Sequence, residues 1–455
     1  MRKDSDYILV FDAIENSNGS VHFFDREKGI KRTITITIND KEFSYRAIKD
    51  FPEIIADLID VAVAIYASDR LVPQKQSEKQ CRIRVVIPVR CPDRLNTERN
   101  REVLENLLQW ATGSRWEFIF KKRNSLGRFS EQPSLPIAPQ KCEVVLWSGG
   151  LDALAGLYTR LKKYPERQFV LFGTGGSTFV YSHQKKVAQA ILDSFPNRCN
   201  LYRLSICLSG SKTLRKNKIP RARGVVFILL GSACAYLMGC RELSIYENGI
   251  GAINLPYRKS AVGLDHTRSV HPKTLAFASE FITNLLQEKF FVRNPFLFWI
   301  KAEMCKALSE DEKFELPPLT KSCDSPHRSK PIQCGYCSSC ILRKQALAAS
   351  KIKDKTLYVV PHGKRPVENT TLYFLHMLTQ VSTIRELLNT ACTTVTQWEY
   401  LTRRFPELNE VLDQLAATED RLIPNDIQRR LIRLYKAYVD DWEIVESKIA
   451  EDFLS

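Results

Sequence analysis

Residues 143–154 read EVVLWSGGLDAL, a short apolar run that ends in a serine and two glycines and continues into helical spacing. The apolar part predicts a buried strand over Glu143–Trp147, and the continuation a helix over Asp152–Leu161. Gly149 and Gly150 between them let the backbone approach an oxyanion closely. The helix amino end then offers free N–H donors and the positive pole of its dipole. Ser148 adds a hydroxyl donor, and Asp152 in the first turn is placed either to help hold magnesium or only to complement the dipole. No Gly-Lys-Ser/Thr follows, so this is not a Walker A loop, and no G-x-G-x-x-G dinucleotide fingerprint is present. A plain glycine turn between strand and helix remains the alternative.

Downstream the alternation continues. Strands are expected over Phe169–Phe172, Leu201–Ile206 and Glu242–Glu247, with helices over His183–Ser194 and Gly224–Met238. This βαβ order predicts an α/β fold with a parallel sheet covered on both faces. Upstream, residues 1–122 read as an α+β domain. The alternating TITITI of Thr33–Ile38 is a half-buried strand, Phe51–Ala67 and Glu102–Ala111 are helices, and Arg82–Val89 and Trp116–Phe120 are strands. Residues 123–140 are polar and proline-punctuated, which marks a linker. The α/β domain then covers 141–350 and a helical carboxyl-terminal domain 351–455. Helices in the latter are expected over Thr371–Leu378, Ile384–Leu388, Thr394–Arg403, Asn409–Leu415 and Ile427–Tyr438.

Four cysteines stand apart from the other nine. Cys334, Cys337 and Cys340 fall in CGYCSSC, and Cys323 precedes them. Four thiolates at such spacing match a closed tetrahedral zinc site, structural because it leaves no open position. Disulfide or persulfide chemistry is the rival reading of a CxxC pair. The odd total of 13, scattered through apolar segments, reads as reduced thiols of a cytoplasmic protein. No run is long and apolar enough to span a membrane, and the start lacks a signal-peptide pattern. A formal charge of +16, from 67 basic and 51 acidic residues, favours a polyanionic partner. Nucleic acid is one candidate, although no recognised binding motif accompanies the charge.

SGGLDAL resembles the PP-loop of ATP pyrophosphatases, Ser-Gly-Gly-x-Asp-Ser/Thr, with Ala153 where that family carries a hydroxyl. The resemblance continues in order. IPRARGVVFILLGSACAYL from Ile219 is similar to the Pro-Gly-Arg-Asn segment of 7-cyano-7-deazaguanine synthases (QueC), with Arg223 at the arginine and Gly224 replacing the asparagine. NPFLFWIKAEMCKAL from Asn294 resembles their Trp…Lys-Ala-Glu segment, and the cysteine quartet followed by Arg343 their terminal motif. The match spans roughly residues 142–347. It implies an adenine nucleotide α-hydrolase-like core with a zinc-stapled lobe, using ATP, Mg2+ and Zn2+. The family adenylates a ring carboxylate, and ammonia then yields an amide and finally a nitrile. Long extensions on both sides, together with TRSVHP at Thr267–Pro272, resemble the enlarged QueC-like proteins of bacterial antiphage operons, the QatC type and type IV CBASS.

The resemblance implies ligand contacts for Ser148, Gly149, Gly150, Asp152 and Ala153 at ATP. Arg223, and less so Arg221, in the basic run Ser211–Gly224 are candidates for the transferring phosphates, with a solvated loop as the alternative, and of Lys301 and Glu303 either one faces the pocket or both are exposed. His183 and Ser182 follow a strand end, where open α/β sheets bind ligands. Glu247 and Asn248 offer acid and amide groups to a purine-like edge, and Arg258, Asp265, Arg268 and His271 share one loop region. The expected activity is an ATP-dependent carbon–nitrogen ligase acting on a 7-deazaguanine-type base. A partner protein's amine is the hypothesised nucleophile, in antiphage defence. A tRNA-modifying enzyme and a non-catalytic nucleotide sensor are the alternatives.

Overall fold

One sheet of ten strands organises the computed structural model, which describes residues 5–15, 17–40, 51–73, 81–124, 127, 142–175, 178–210, 217, 220–257, 268–324, 332–360, 371–418 and 422–454. In chain order the strands are β1 (Tyr7–Phe11), β2 (Asn18–Asp25), β3 (Ile30–Asn39), β4 (Arg82–Val89), β5 (Arg115–Lys122), β6 (Cys142–Leu146), β7 (Gln168–Thr174), β8 (Cys199–Gly210), β9 (Glu242–Ser244) and β10 (Phe291–Arg293). Their spatial order is β10-β9-β6-β7-β8-β3-β2-β1-β4-β5. The five carboxyl-side strands are mutually parallel, as the βαβ pattern requires. The amino-terminal strands combine an antiparallel β1-β2-β3 meander with a parallel β1-β4-β5 set.

The two sets join where β3 runs antiparallel to β8, from Ile34↔Gly210 to Asn39↔Ser205. The TITITI alternation supplies this seam. Ile34, Ile36 and Ile38 are buried on one face, while Thr33, Thr35 and Asn39 stay exposed on the other. The amino-terminal α+β unit and the α/β unit therefore share one sheet and one apolar core, in which helix α1 (Glu53–Leu71) packs against α6 (Arg223–Leu237). Of the expected linker, residues 125–126 and 128–140 lie outside the described residues.

Helices α2 (Pro92–Leu95) and α3 (Glu98–Thr112) complete the amino-terminal unit. The α/β unit carries α4 (Leu151–Lys163), α5 (Thr178–Ser194), α7 (Gly249–Ile253), α8 (Pro272–Leu286), α9 (Lys301–Glu310) and α10 (Ser338–Ala349) besides α6. The carboxyl-terminal helices are α11 (Leu372–Thr390), α12 (Thr394–Arg404), α13 (Glu407–Thr418) and α14 (Pro424–Leu454). They bury a second apolar core against Ile250, Leu297, Ile341 and neighbouring residues.

Two expectations need correction. The helices expected over Thr371–Leu378 and Ile384–Leu388 are one, α11. The intervening threonines do not break it, because Thr379 and Thr383 hydroxyls donate to the carbonyls of Leu375 and Thr379 one turn back. The strand expected over Glu242–Glu247 stops at Ser244, and the next residues leave the ladder to present Glu247 and Asn248 beyond the strand end. Among the described residues no helix is long and apolar enough to cross a membrane.

Candidate functional site

The glycine loop sits between the carboxyl end of β6 and the amino end of α4. Gly149 has φ +74°, the left-handed region, and a Cβ there would lie 3.3 Å from the His183 ring and 3.4 Å from Gln184 Cα. Gly150 caps α4, and its N–H donates to Ser148 Oγ at 3.1 Å. The first-turn N–H groups of Leu151, Asp152 and Ala153 thus face out of the helix end, where a phosphate group would meet them. Ala153 itself is buried in the apolar cluster that contains Trp147, Leu154 and Val187.

Beneath the loop lies a compact charged cluster. Lys301 Nζ, buried at the start of α9, is 2.7 Å from Asp152 Oδ2. Asn248 Nδ2 donates to Asp152 Oδ1 at 2.9 Å and to Glu247 Oε1 at 2.8 Å. Asn248 is held in turn as the cap of α7, its Oδ1 accepting from Gly251 N at 3.0 Å. Asn294 Nδ2 donates to the Glu247 carbonyl at 2.7 Å. Glu247 is partly exposed as a residue, but its carboxyl lies enclosed beside Asp152. Burial first, and then the Asp152 charge, push its pKa up to about 8, against the opposing pull of Lys301. Burial alone would lower the Lys301 ammonium; the two carboxylates outweigh it and raise it. Two acids and one base therefore balance at neutral pH when Glu247 keeps its proton and donates it to Asp152.

The four cysteine sulfurs lie within 4.8 Å of one another, all buried. Thiolates about 2.3 Å from a tetrahedral zinc stand about 3.8 Å apart, and Cys334 Sγ and Cys340 Sγ are separated by 3.8 Å. The N–H groups of Tyr336 and Cys337 donate to Cys334 Sγ at 3.5 and 3.2 Å, which closes a turn over CGYC. Gly335 at its centre has φ +87°, and a Cβ would meet the Val360 carbonyl at 2.1 Å. The quartet fits zinc in spacing and chemistry. It also supports the loop through a chain of contacts. Cys340 Sγ reaches Gln333 Oε1, Gln333 Nε2 donates to the Thr320 carbonyl, and Lys321 N donates to the Gly149 carbonyl at 3.1 Å. Arg343, fully buried, ties Thr320 Oγ1 and the Pro317 carbonyl to α10.

The other expected residues are distributed more widely. His183 lies against Gly149, with its ring parallel to Phe179 at 6.5 Å. Burial first, then Lys321 and Lys186, hold its pKa below the ordinary histidine value. Arg223 stands exposed at the start of α6, over Phe227 and beside Arg70 and Tyr66 of α1. Gly224 replaces an asparagine because Ser269 occupies the side-chain position: a Cβ would lie 2.3 Å from Ser269 Cβ. The structure brings Arg268 to the amino-terminal unit. Its guanidinium covers the Trp110 ring at 3.9 Å and donates to the Trp110 carbonyl. His271 packs on the same ring and caps α8. Glu303 faces outward and pairs with Arg433 of α14. Arg258, Asp265 and the lysines and arginine of 211–218 lie outside the described residues.

Four residues near the loop escaped the sequence reading. Phe179 and Lys321, whose ammonium lies 4.4 Å from the Phe179 ring, flank His183. Buried Gln184 contacts Gly149 and Gly173, and Asn294 fixes Glu247. Lys321 stands two residues before the first cysteine, and Asn294 opens a segment already singled out. Those positions were the only available signal.

The family model of the queuosine biosynthesis protein QueC matches residues 209–351, which include Glu247, Asn248, Lys301 and the cysteine quartet. The 7-cyano-7-deazaguanine synthase of Pyrococcus abyssi is 26% identical over 254 residues, covering 48% of this chain and 97% of that protein. The synthases of Pyrococcus horikoshii and Pyrococcus furiosus are 24% and 26% identical, each over 48% of this chain and 97% and 96% of their own length. About half of the chain is thus QueC-like.

Proposed function

We propose that this QueC-like chain is an ATP-dependent carbon–nitrogen ligase that activates the carboxylate of a 7-deazaguanine-type base. The observation that carries the reading is the buried Asp152–Lys301–Glu247–Asn248 cluster beside the glycine loop at the amino end of α4. A loop of this geometry binds an oxyanion through backbone N–H groups, with Ser148, Gly149, Gly150 and the Ala153 N–H as its donors. Asp152 and Glu247 present only oxygen donors, a set that suits Mg2+, which would neutralise pyrophosphate charge when bound. Lys301 pairs with Asp152 and orients its carboxylate. Arg223 supplies a further cation toward the phosphates, and His183, neutral at physiological pH, faces the base. Arg258 and Arg268 complete the proposed substrate contacts.

In the first step a carboxylate oxygen of the base attacks the α-phosphorus of ATP. The α–β bridging bond breaks and pyrophosphate leaves with its electron pair. In the second step a nitrogen lone pair attacks the acyl carbon, AMP leaves, and the nitrogen loses a proton. The nucleophile in this reading is ammonia or the amine of a partner protein, and the setting is bacterial antiphage defence. The two extra units would then dock that partner. Zinc in the cysteine quartet would act structurally, by holding Lys321 against Gly149.

Pyrophosphate release with ATP, Mg2+ and 7-carboxy-7-deazaguanine tests the first step. Release that requires the base and disappears in Asp152→Ala supports carboxylate adenylation. ATP binding with no release, alone or with operon partners, would instead support a nucleotide-sensing subunit, the reading favoured by the missing hydroxyl at Ala153.

A further inference from the structure

A second chemical feature lies at the opposite ends of the strands that carry the loop. A cavity of about 1020 Å³ opens beside the starts of β6, β9 and β10, lined among others by Cys142, Cys240, Lys163, Arg167, Arg241 and Arg293. Cys142 begins β6, and Cys240 stands two residues before β9. Their sulfurs are 3.4 Å apart, and Cys240 Sγ also lies 3.3 Å from the Cys142 carbonyl. Both thiols are only partly buried, unlike Cys199, Cys234 and Cys305 in the core. Closing a disulfide needs a sulfur approach of about 1.4 Å, from 3.4 Å to the usual bond length of about 2.05 Å.

We propose that Cys142 and Cys240 form a redox modification site, closed to a disulfide by small hydroperoxides that enter the cavity they line. The hydrogen bond from Cys240 pulls the Cys142 thiol below its ordinary range and makes it the nucleophile. Its thiolate attacks a peroxide oxygen, the O–O bond breaks, and hydroxide leaves to give a sulfenic acid on Cys142. The Cys240 sulfur then attacks the Cys142 sulfur and releases water. In net terms two thiols lose two hydrogens and hydrogen peroxide becomes two waters. The bond links the starts of the two strands whose far ends present Ser148 and Glu247, so it braces the frame of the candidate site from behind.

The test exposes the intact, zinc-loaded chain to hydrogen peroxide, alkylates remaining thiols with N-ethylmaleimide under native conditions, and maps peptides without reduction. The expected result is a Cys142–Cys240 cross-linked peptide two hydrogens lighter than its parts, which dithiothreitol returns to two alkylated peptides. In Cys240→Ser, peroxide should leave Cys142 as a sulfenic acid that dimedone captures. Alkylation of both cysteines after peroxide has modified exposed Cys207 and Cys392 would overturn the proposal. So would capture of Cys142 by dimedone to the same extent in wild type and Cys240→Ser. Neither readout depends on the ligase activity.

Discussion

Compare two buried clusters of acids and bases, Asp57–Asp60–Arg90–Arg123 in the amino-terminal half of the sheet and Asp152–Glu247–Lys301 in the other: their charge balance separates them. In the amino-terminal unit Asp57 and Asp60 of α1 meet Arg90 and Arg123, which follow β4 and β5. Two carboxylates face two guanidinium groups, and backbone N–H groups of Arg90 and Cys91 complete Asp57. Under the glycine loop, Lys301 is the one cation among the described residues that pairs with Asp152, and burial with the Asp152 charge raises the Glu247 carboxyl to about 8. The first cluster is compensated internally and fixes α1 to the sheet. Among the described residues the second has one cation for two carboxyls, at a place where a positively charged ligand or a magnesium ion would add charge of the opposite sign. Burial of charge alone identifies no site; an uncompensated deficit beside an open backbone cradle does.

The comparison breaks most directly at its acids. Asp152→Asn should lower base-dependent pyrophosphate release by about a thousandfold. It should cost only about 1–2 kcal/mol of stability, because Glu247 can ionise and pair with Lys301. Activity assays and chemical denaturation of the same preparation check both halves. Arg90→Met should do the reverse. It leaves two buried aspartates with one cation, Arg123, which contacts Asp60 alone of the pair at 3.3 Å, costs about 3–5 kcal/mol, and leaves turnover per folded molecule unchanged. A mutant that loses activity in step with Asp152→Asn while remaining stable would erase the distinction.

A third prediction concerns pH. The Glu247 carboxyl titrates near 8 in the folded chain against 4.5 as an ordinary glutamate, so between these values the native state binds a proton that the unfolded state does not. Its contribution to stability therefore falls as pH rises from 4.5 to 8 and is level outside that window. Glu247→Gln, a mimic of the protonated form, should remove this slope from denaturation midpoints measured across the range. The smallest effect is expected at Gly149→Ala. The positive φ costs about 1–2 kcal/mol, and the 3.3 Å approach to His183 should weaken nucleotide binding in a calorimetric titration.

How much of this was legible depended on whether the signal was local. The loop, the helix behind it and the cysteine turn are contiguous, and each was readable from spacing alone. Lys301, Glu247 and Asp152 were each singled out, but their contact joins three strand-end segments and no periodicity encodes it. Arg268 adds a non-local contact of its own: Trp110, more than 150 residues earlier, provides the aromatic face under its guanidinium. The β1–β2 pairing was missed because NGSVHFFD alternates weakly, and the β3–β8 seam because a half-buried strand does not name its neighbour.

That seam has a consequence in time. Synthesis runs from the amino terminus, and β3 is made roughly 160 residues before β8 begins, an interval of about 8–32 s at about 5–20 residues per second. Through that interval β3 is an open edge with Ile34, Ile36 and Ile38 along one face, a template for any other extended chain. The nascent amino-terminal half must be shielded until its own later strand arrives. Expressed alone, that half should associate with itself through the vacant edge.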